Sequence, residues 1–181
     1  MNTAMNLSRT LTTAALAAVL STPVFAAPNF EGCHQPKSGF ATTLCTNTKT
    51  CESQTGIFDF ILRNADAALE ARKLEISGIL RGQIGDETNA CGLVNAEHLL
   101  TDRDMRGSIS TGPDVACLSG EGDFVNTLGI GEVIKVVSGD GIYSKVIAGG
   151  TVTLPGELGL KSGVNRFVLD VQEGDEVCFS S

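Results

Sequence analysis

The side chains that could do proton or metal chemistry are few. The chain has two histidines, His34 and His98. His34 follows Cys33, and an imidazole beside a thiol can lower the thiol pKa and make a nucleophile. In an oxidising compartment the stronger reading is that Cys33 is half of a disulfide and His34 a surface residue. His98 follows Glu97 on what reads as a helical turn over Asn95–Leu100 capped by Asn95, where a partly buried structural role is expected.

Acidic residues offer other chemistry. Asp102, Asp104 and Gly107 match the first, third and sixth places of a calcium loop, but Arg106 takes the fifth and Pro113 the twelfth, where a bidentate Glu belongs. An EF-hand is therefore rejected. The acidic turns (Glu121 and Asp123; Glu173, Asp175 and Glu176) could make a weak Ca²⁺ site, although such clusters are usually solvated. Paired carboxylates could hydrolyse glycosides. Sugar sites, however, stack on flat aromatic faces, and this chain has no Trp and one Tyr.

Other motifs are missing. No G-x-S-x-G elbow occurs, and Gly129-Ile130-Gly131 opens a strand and not a dinucleotide-binding helix. No catalytic, cofactor-binding or metal-ligating residue is assigned. The formal charge of −8 repels phosphate backbones, and the scarcity of aromatics removes base stacking, so nucleic acid is not an expected partner.

Six cysteines remain: Cys33, Cys45, Cys51, Cys91, Cys117 and Cys178. An even number without C-x-x-C spacing argues for three disulfides and against zinc. Three lie between Cys33 and Cys51. An odd number cannot pair internally, so at least one bridge must reach Cys91, Cys117 or Cys178.

The leader explains why disulfides are allowed. Arg9, the apolar run Leu11–Leu20, the breakers Ser21 to Pro23 and the Val24/Ala26 pair read as a signal peptide over residues 1–26, cleaved before Ala27. Losing Arg9 makes the mature charge one unit more negative, −9. The run is too short to span a bilayer, and no later segment is suited to it. Location is expected in the periplasm or outside the cell.

Residues 27–56 read as an extended, cysteine-containing arm, and 57–181 as one β-rich domain. Asn64–Lys73 has helical propensity. From Leu74, apolar residues and glycines alternate with Glu75, Ser77, Arg81 and Gln83, the two-residue period of a strand. Strands are expected at Glu132–Ser138, Ile142–Ile147, Thr151–Leu154, Val164–Val171 and Glu176–Ser180. The first two should form a hairpin through a type I′ turn at Asp140-Gly141. The fold expected is mainly β, a disulfide-tied antiparallel sandwich or barrel with one or two short helices.

These features favour an exported, non-catalytic binding or interaction protein, an accessory or inhibitor-like module with a protein or small-molecule partner. Alternatives are a structural subunit of a surface assembly, in which an open sheet edge accepts a strand, and a carboxylate-dependent hydrolase.

Overall fold

The computed structural model describes residues 30–47, 51–66, 73–88, 91, 94–121 and 126–181. The expected signal peptide and the centre of the expected 64–73 helix lie outside them.

Ten strands follow in order: β1 Gly32–Cys45, β2 Ser53–Asn64, β3 Lys73–Thr88, β4 Val94–Asp102, β5 Ser108–Thr111, β6 Val115–Glu121, β7 Thr127–Gly139, β8 Thr151–Gly159, β9 Val164–Val168 and β10 Val177–Phe179. All named pairings are antiparallel. Neighbours run β1-β2-β3-β4-β5-β7-β8-β9, and β9 returns to β1 through Phe40↔Val168 to Leu44↔Val164. The result is a closed eight-stranded barrel with two extra strands. After a break at Gly112-Pro113, β6 continues along β7 where β5 leaves it. β10 likewise lies beside the start of β1, where β9 does not reach.

Closure turns two-residue periodicity into an inside and an outside. In β2, Phe58, Phe60 and Leu62 are buried and Ile57 is exposed. In β3, Leu74, Ile76 and Leu80 are buried, and Ile79, out of phase with them, faces outward. β7 buries Ile130, Ile134 and Val136, and β9 buries Phe167. These side chains form one core along the barrel axis.

Three disulfides hold the chain: Cys33–Cys178, Cys45–Cys51 and Cys91–Cys117. The first joins directly opposed residues of β1 and β10 and supplies the bridge from the N-terminal cysteines that parity demands.

Several expectations fail for physical reasons. The segment read as an arm contains β1, a barrel strand with three partners; its inward residues include the small Ala41 and the polar Thr43, while Phe40 and Leu44 face outward, so the usual apolar alternation is hidden. Asn95–Leu100 is part of β4, not a helical turn, because strand pairing on both sides overrides local propensity. No hairpin forms at Gly139-Asp140-Gly141. Asp140 is extended (φ −131°), and Gly141–Tyr143 is a 3₁₀ turn, the helical piece found among the described residues. Gly141 does take positive φ, 55°, but outside a hairpin, and a Cβ there would collide with the Arg106 carbonyl. β7 pairs instead with β5, β6 and β8.

Candidate functional site

Antiparallel order gives the barrel two unlike ends. The end carrying His34, Asn64, Asp102 and Phe179 is filled. Phe30 lies 5.4 Å from Tyr143 and 5.3 Å from Phe179, ring centre to ring centre, and His34 meets Phe179 edge-on. His34 is buried, contrary to the expected surface position, and its Nε2 is 2.8 Å from the Phe30 carbonyl. Its neighbour Cys33 is oxidised to Cys178, so the pair holds no nucleophile.

Of the calcium-like residues, Asp102 is buried and committed to structure. It accepts Arg106 Nε at 2.9 Å and Nη2 at 3.0 Å, the Asp104 N–H at 3.0 Å and the Tyr143 hydroxyl at 3.2 Å. Hydrogen bonding from Arg106, helped by backbone N–H groups, holds the Asp102 carboxyl below its usual value. Burial, with the Asp102 charge, pushes the Tyr143 phenol up. In the second acidic turn, Asp175 accepts Thr151 Oγ1 at 2.9 Å and the Thr153 N–H at 2.6 Å. Asp123 lies outside the described residues.

The other end carries the polar interior. Inward positions that would continue the apolar rows are Thr43 on β1, Gln54 on β2, His98 on β4, Thr111 on β5, Glu132 on β7 and Asn165 on β9, with Asp114 at the break before β6; all are buried. Register places Gln54 beside Gly82 and Gly82 beside His98. Gly82 is needed there: a Cβ would come within 2.7 Å of both Gln54 Cγ and His98 Cδ2. Its hydrogen leaves the space through which Gln54 and His98 meet.

The hydrogen bonds form a chain across the barrel. Thr43 Oγ1 donates to Gln54 Oε1 at 2.6 Å, and Asn165 Nδ2 donates to the same oxygen at 3.3 Å. Gln54 Nε2 lies 2.9 Å from His98 Nε2, and His98 Nδ1 lies 2.8 Å from Asp114 Oδ2. With its oxygen occupied by two donors, Gln54 presents N–H to His98. When the ring is neutral, that makes Nε2 the acceptor and Nδ1 the protonated nitrogen. Asp114 is fully buried and also accepts Thr111 Oγ1 at 2.6 Å and the Lys135 N–H at 2.7 Å.

Glu132 differs from its neighbours. It is 4% exposed, and among the described residues the one ion-pair contact of its carboxyl is His98 Nδ1, 3.8 Å from Oε1. Burial pushes its pKa up; His98 opposes the shift and Asp114 adds to it. For His98, burial pulls the pKa down, but the Asp114 hydrogen bond and the charges of Glu132 and Asp114 outweigh it, and the value is raised.

Above this network lies a cavity of about 200 Å³, partly open to solvent. Its walls are apolar (Ile84, Ala96, Ala116, Ile130, Leu158 and Phe167), and Gln54, Glu132 and Asn165 supply the polar groups. Cys51, tied to Cys45, also lines it. A hydrophobic chamber with a few convergent polar groups is the usual composition of a small-molecule site, and barrel mouths are a common place for one.

Of the hydrogen-bonded network, sequence reasoning singled out His98 alone, as structural. The rest carry a readable signal: Glu132 lies in phase with Ile130, Ile134 and Val136, and Gln54 in phase with Phe58, Phe60 and Leu62. A charged or amide residue on the inward phase of a barrel strand marks a polar interior. Asp114 carries no such phase, because it sits in the break between β5 and β6. No protein-family model, curated protein or solved structure matches the chain.

Proposed function

We propose that this is an exported, non-catalytic binding protein that holds a small molecule in the open end of its barrel. The observation that carries the reading is the cavity itself, with the buried Glu132 carboxyl facing apolar walls. A chamber of about 200 Å³ suits a compact ligand; an engineered apolar cavity of about 150 Å³ is known to hold benzene. The matching ligand has an apolar body and a donor group, such as an amine or hydroxyl, for Glu132. Three disulfides support an oxidising compartment, and the Val24/Ala26 pair supports cleavage before Ala27. Among the described residues no helix is long and apolar enough to cross a membrane.

The alternatives have less support. Every strand of the eight-membered ring is paired on both sides, so among the described residues strand donation would have to use the extra strands β6 and β10 and not the ring. A two-carboxylate hydrolase needs both acids at the substrate, and Asp114 is fully buried while Glu132 alone of the pair lines the cavity.

Protein recovered from the periplasm or medium tests both parts. Intact mass should show a chain starting at Ala27. Ligand-observed NMR with a library of small amines and alcohols should find binders that are lost in Ala116→Leu, which fills the cavity. A library without binders, or binding untouched by Ala116→Leu, defeats the small-molecule reading.

A further inference from the structure

The open end holds a second feature that does not depend on the small-molecule reading. His98 on β4, Asp114 before β6 and Glu132 on β7 each present a ligand atom, and these atoms lie within 4.8 Å of one another. The cluster buries two carboxyl groups with one imidazole, and among the described residues no Lys or Arg side chain lines the cavity beside it. Buried carboxylates need compensating charge, and one imidazole offers at most a single positive charge.

Glu132 adds an independent observation. It is more than nine-tenths buried, faces the cavity, and is held by no hydrogen bond among the described residues; His98 at 3.8 Å is its one charged contact. Asp102 and Asp175, the buried acids elsewhere, are by contrast filled with donors.

We propose that His98 Nδ1, Asp114 and Glu132 form a binding site for a divalent transition-metal cation, with its remaining coordination open to the cavity. Ligand atoms about 2.0–2.2 Å from a zinc ion lie roughly 3–3.5 Å apart. His98 Nδ1 is 2.8 Å from Asp114 Oδ2 and 3.8 Å from Glu132 Oε1, and all three ligand atoms lie within 4.8 Å of one another, so the first distance must open and the second close for an ion to sit between them. One nitrogen and two carboxylate oxygens suit Zn²⁺ or Mn²⁺ better than Cu⁺, which prefers sulfur. The three ligands stand on rigid barrel strands or at a strand's start. Asp114 is already oriented by Thr111 and the Lys135 N–H, the outer support that metal ligands generally need.

The network beyond the ligands can adapt. An ion on Nδ1 moves the imidazole proton to Nε2, which must then donate. Turning over the Gln54 amide presents Oε1 to His98 and N–H to Thr43 Oγ1, an acceptor already 2.6 Å from the amide end. Asn165 turns with it and presents its own oxygen. The amide pair thus serves either nitrogen of His98 without moving the backbone.

Untagged mature protein, stripped with chelator, decides the matter. Titration calorimetry with Zn²⁺, and separately with Mn²⁺, should show a single equivalent bound. Glu132→Gln should weaken it by more than about tenfold, and His98→Gln should do the same, with near-ultraviolet circular dichroism reporting folding. Anomalous diffraction from zinc-soaked wild-type crystals locates the ion without any variant. A peak among the three side chains upholds the site. Absence of stoichiometric binding, a peak elsewhere, or full affinity in a folded Glu132→Gln protein overturns it.

Discussion

At the filled end of the barrel, Asp102 is buried against Tyr143 with four donor groups around its carboxylate. At the open end, Glu132 is equally buried and meets a single imidazole nitrogen at 3.8 Å. The surroundings explain the contrast. Asp102 ends β4 beside a turn whose backbone N–H groups and Arg106 are free to fold back onto it. Glu132 sits inside β7, where the backbone groups are engaged by β6 and β8. A carboxyl at a strand end is stabilised by its own turn. One in the middle of a strand depends on what enters the barrel.

The largest difference between the ends should come from their disulfides. Cys33–Cys178 closes a separation of 145 residues at the filled end, and Cys45–Cys51 one of 6 residues at the open end. Loop-closure entropy assigns the first about 5 kcal/mol and the second about 2 kcal/mol. Paired Cys→Ser variants in denaturant melts should therefore differ by about 3 kcal/mol. Equal losses would mean that the two bridges act on the native state and not on the unfolded chain.

A smaller effect should separate two glycines of β3. Gly82→Ala forces a methyl group against Gln54 and His98 and should destabilise by about 1–3 kcal/mol, the usual range for overpacking. Gly85→Ala, three residues on, meets nothing nearer than the Asn95 carbonyl at 3.5 Å and should stay within about 0.5 kcal/mol. If both melt alike, the Gln54–His98 contact is not what Gly82 protects.

The same strand shows what a sequence can disclose. The two-residue period of Leu74 to Gly82 is visible because local alternation and the barrel's inside coincide there, and Phe167 and Leu169 in the C-terminal third are buried as their phase requires. The class of fold was legible for that reason. β1 was not, because its inward residues Ala41 and Thr43 are small or polar and its hydrophobes Phe40 and Leu44 face outward. Nor was the 139–141 hairpin correctly foretold: a turn signal reports that the chain bends, and long-range pairing of β7 with β5 and β8 decides where the next strand lies. The site was hidden more deeply. Its members come from eight segments, and only register brings Gln54, Gly82 and His98 into one row.

The two acids should also give stability opposite dependences on pH, best measured with chelator present. Asp102 is held below its ordinary value of 3.8. It therefore contributes stability above that pH, and the contribution is lost as pH falls through the folded-state value. Arg106 is half exposed, so Arg106→Gln should cost less than about 1 kcal/mol at neutral pH, and the difference should shrink on acidification. Glu132 is raised above 4.5 and His98 above 6.5. Between each ordinary value and its folded value the native protein holds a proton that the unfolded chain has released. Stability from these groups is complete below the ordinary value and falls as pH rises through the window. Glu132→Gln removes one such group and part of the cause of the other, because the Glu132 charge helps to raise His98. The variant should gain about 1 kcal/mol on wild type at the alkaline side, the scale of relieving one poorly satisfied buried group, and should show a flatter profile from mildly acidic to mildly alkaline pH. Urea melts across that range check it. A Glu132→Gln profile parallel to wild type would mean that the carboxyl finds in solution the donors it lacks here, and the contrast between the two ends would disappear.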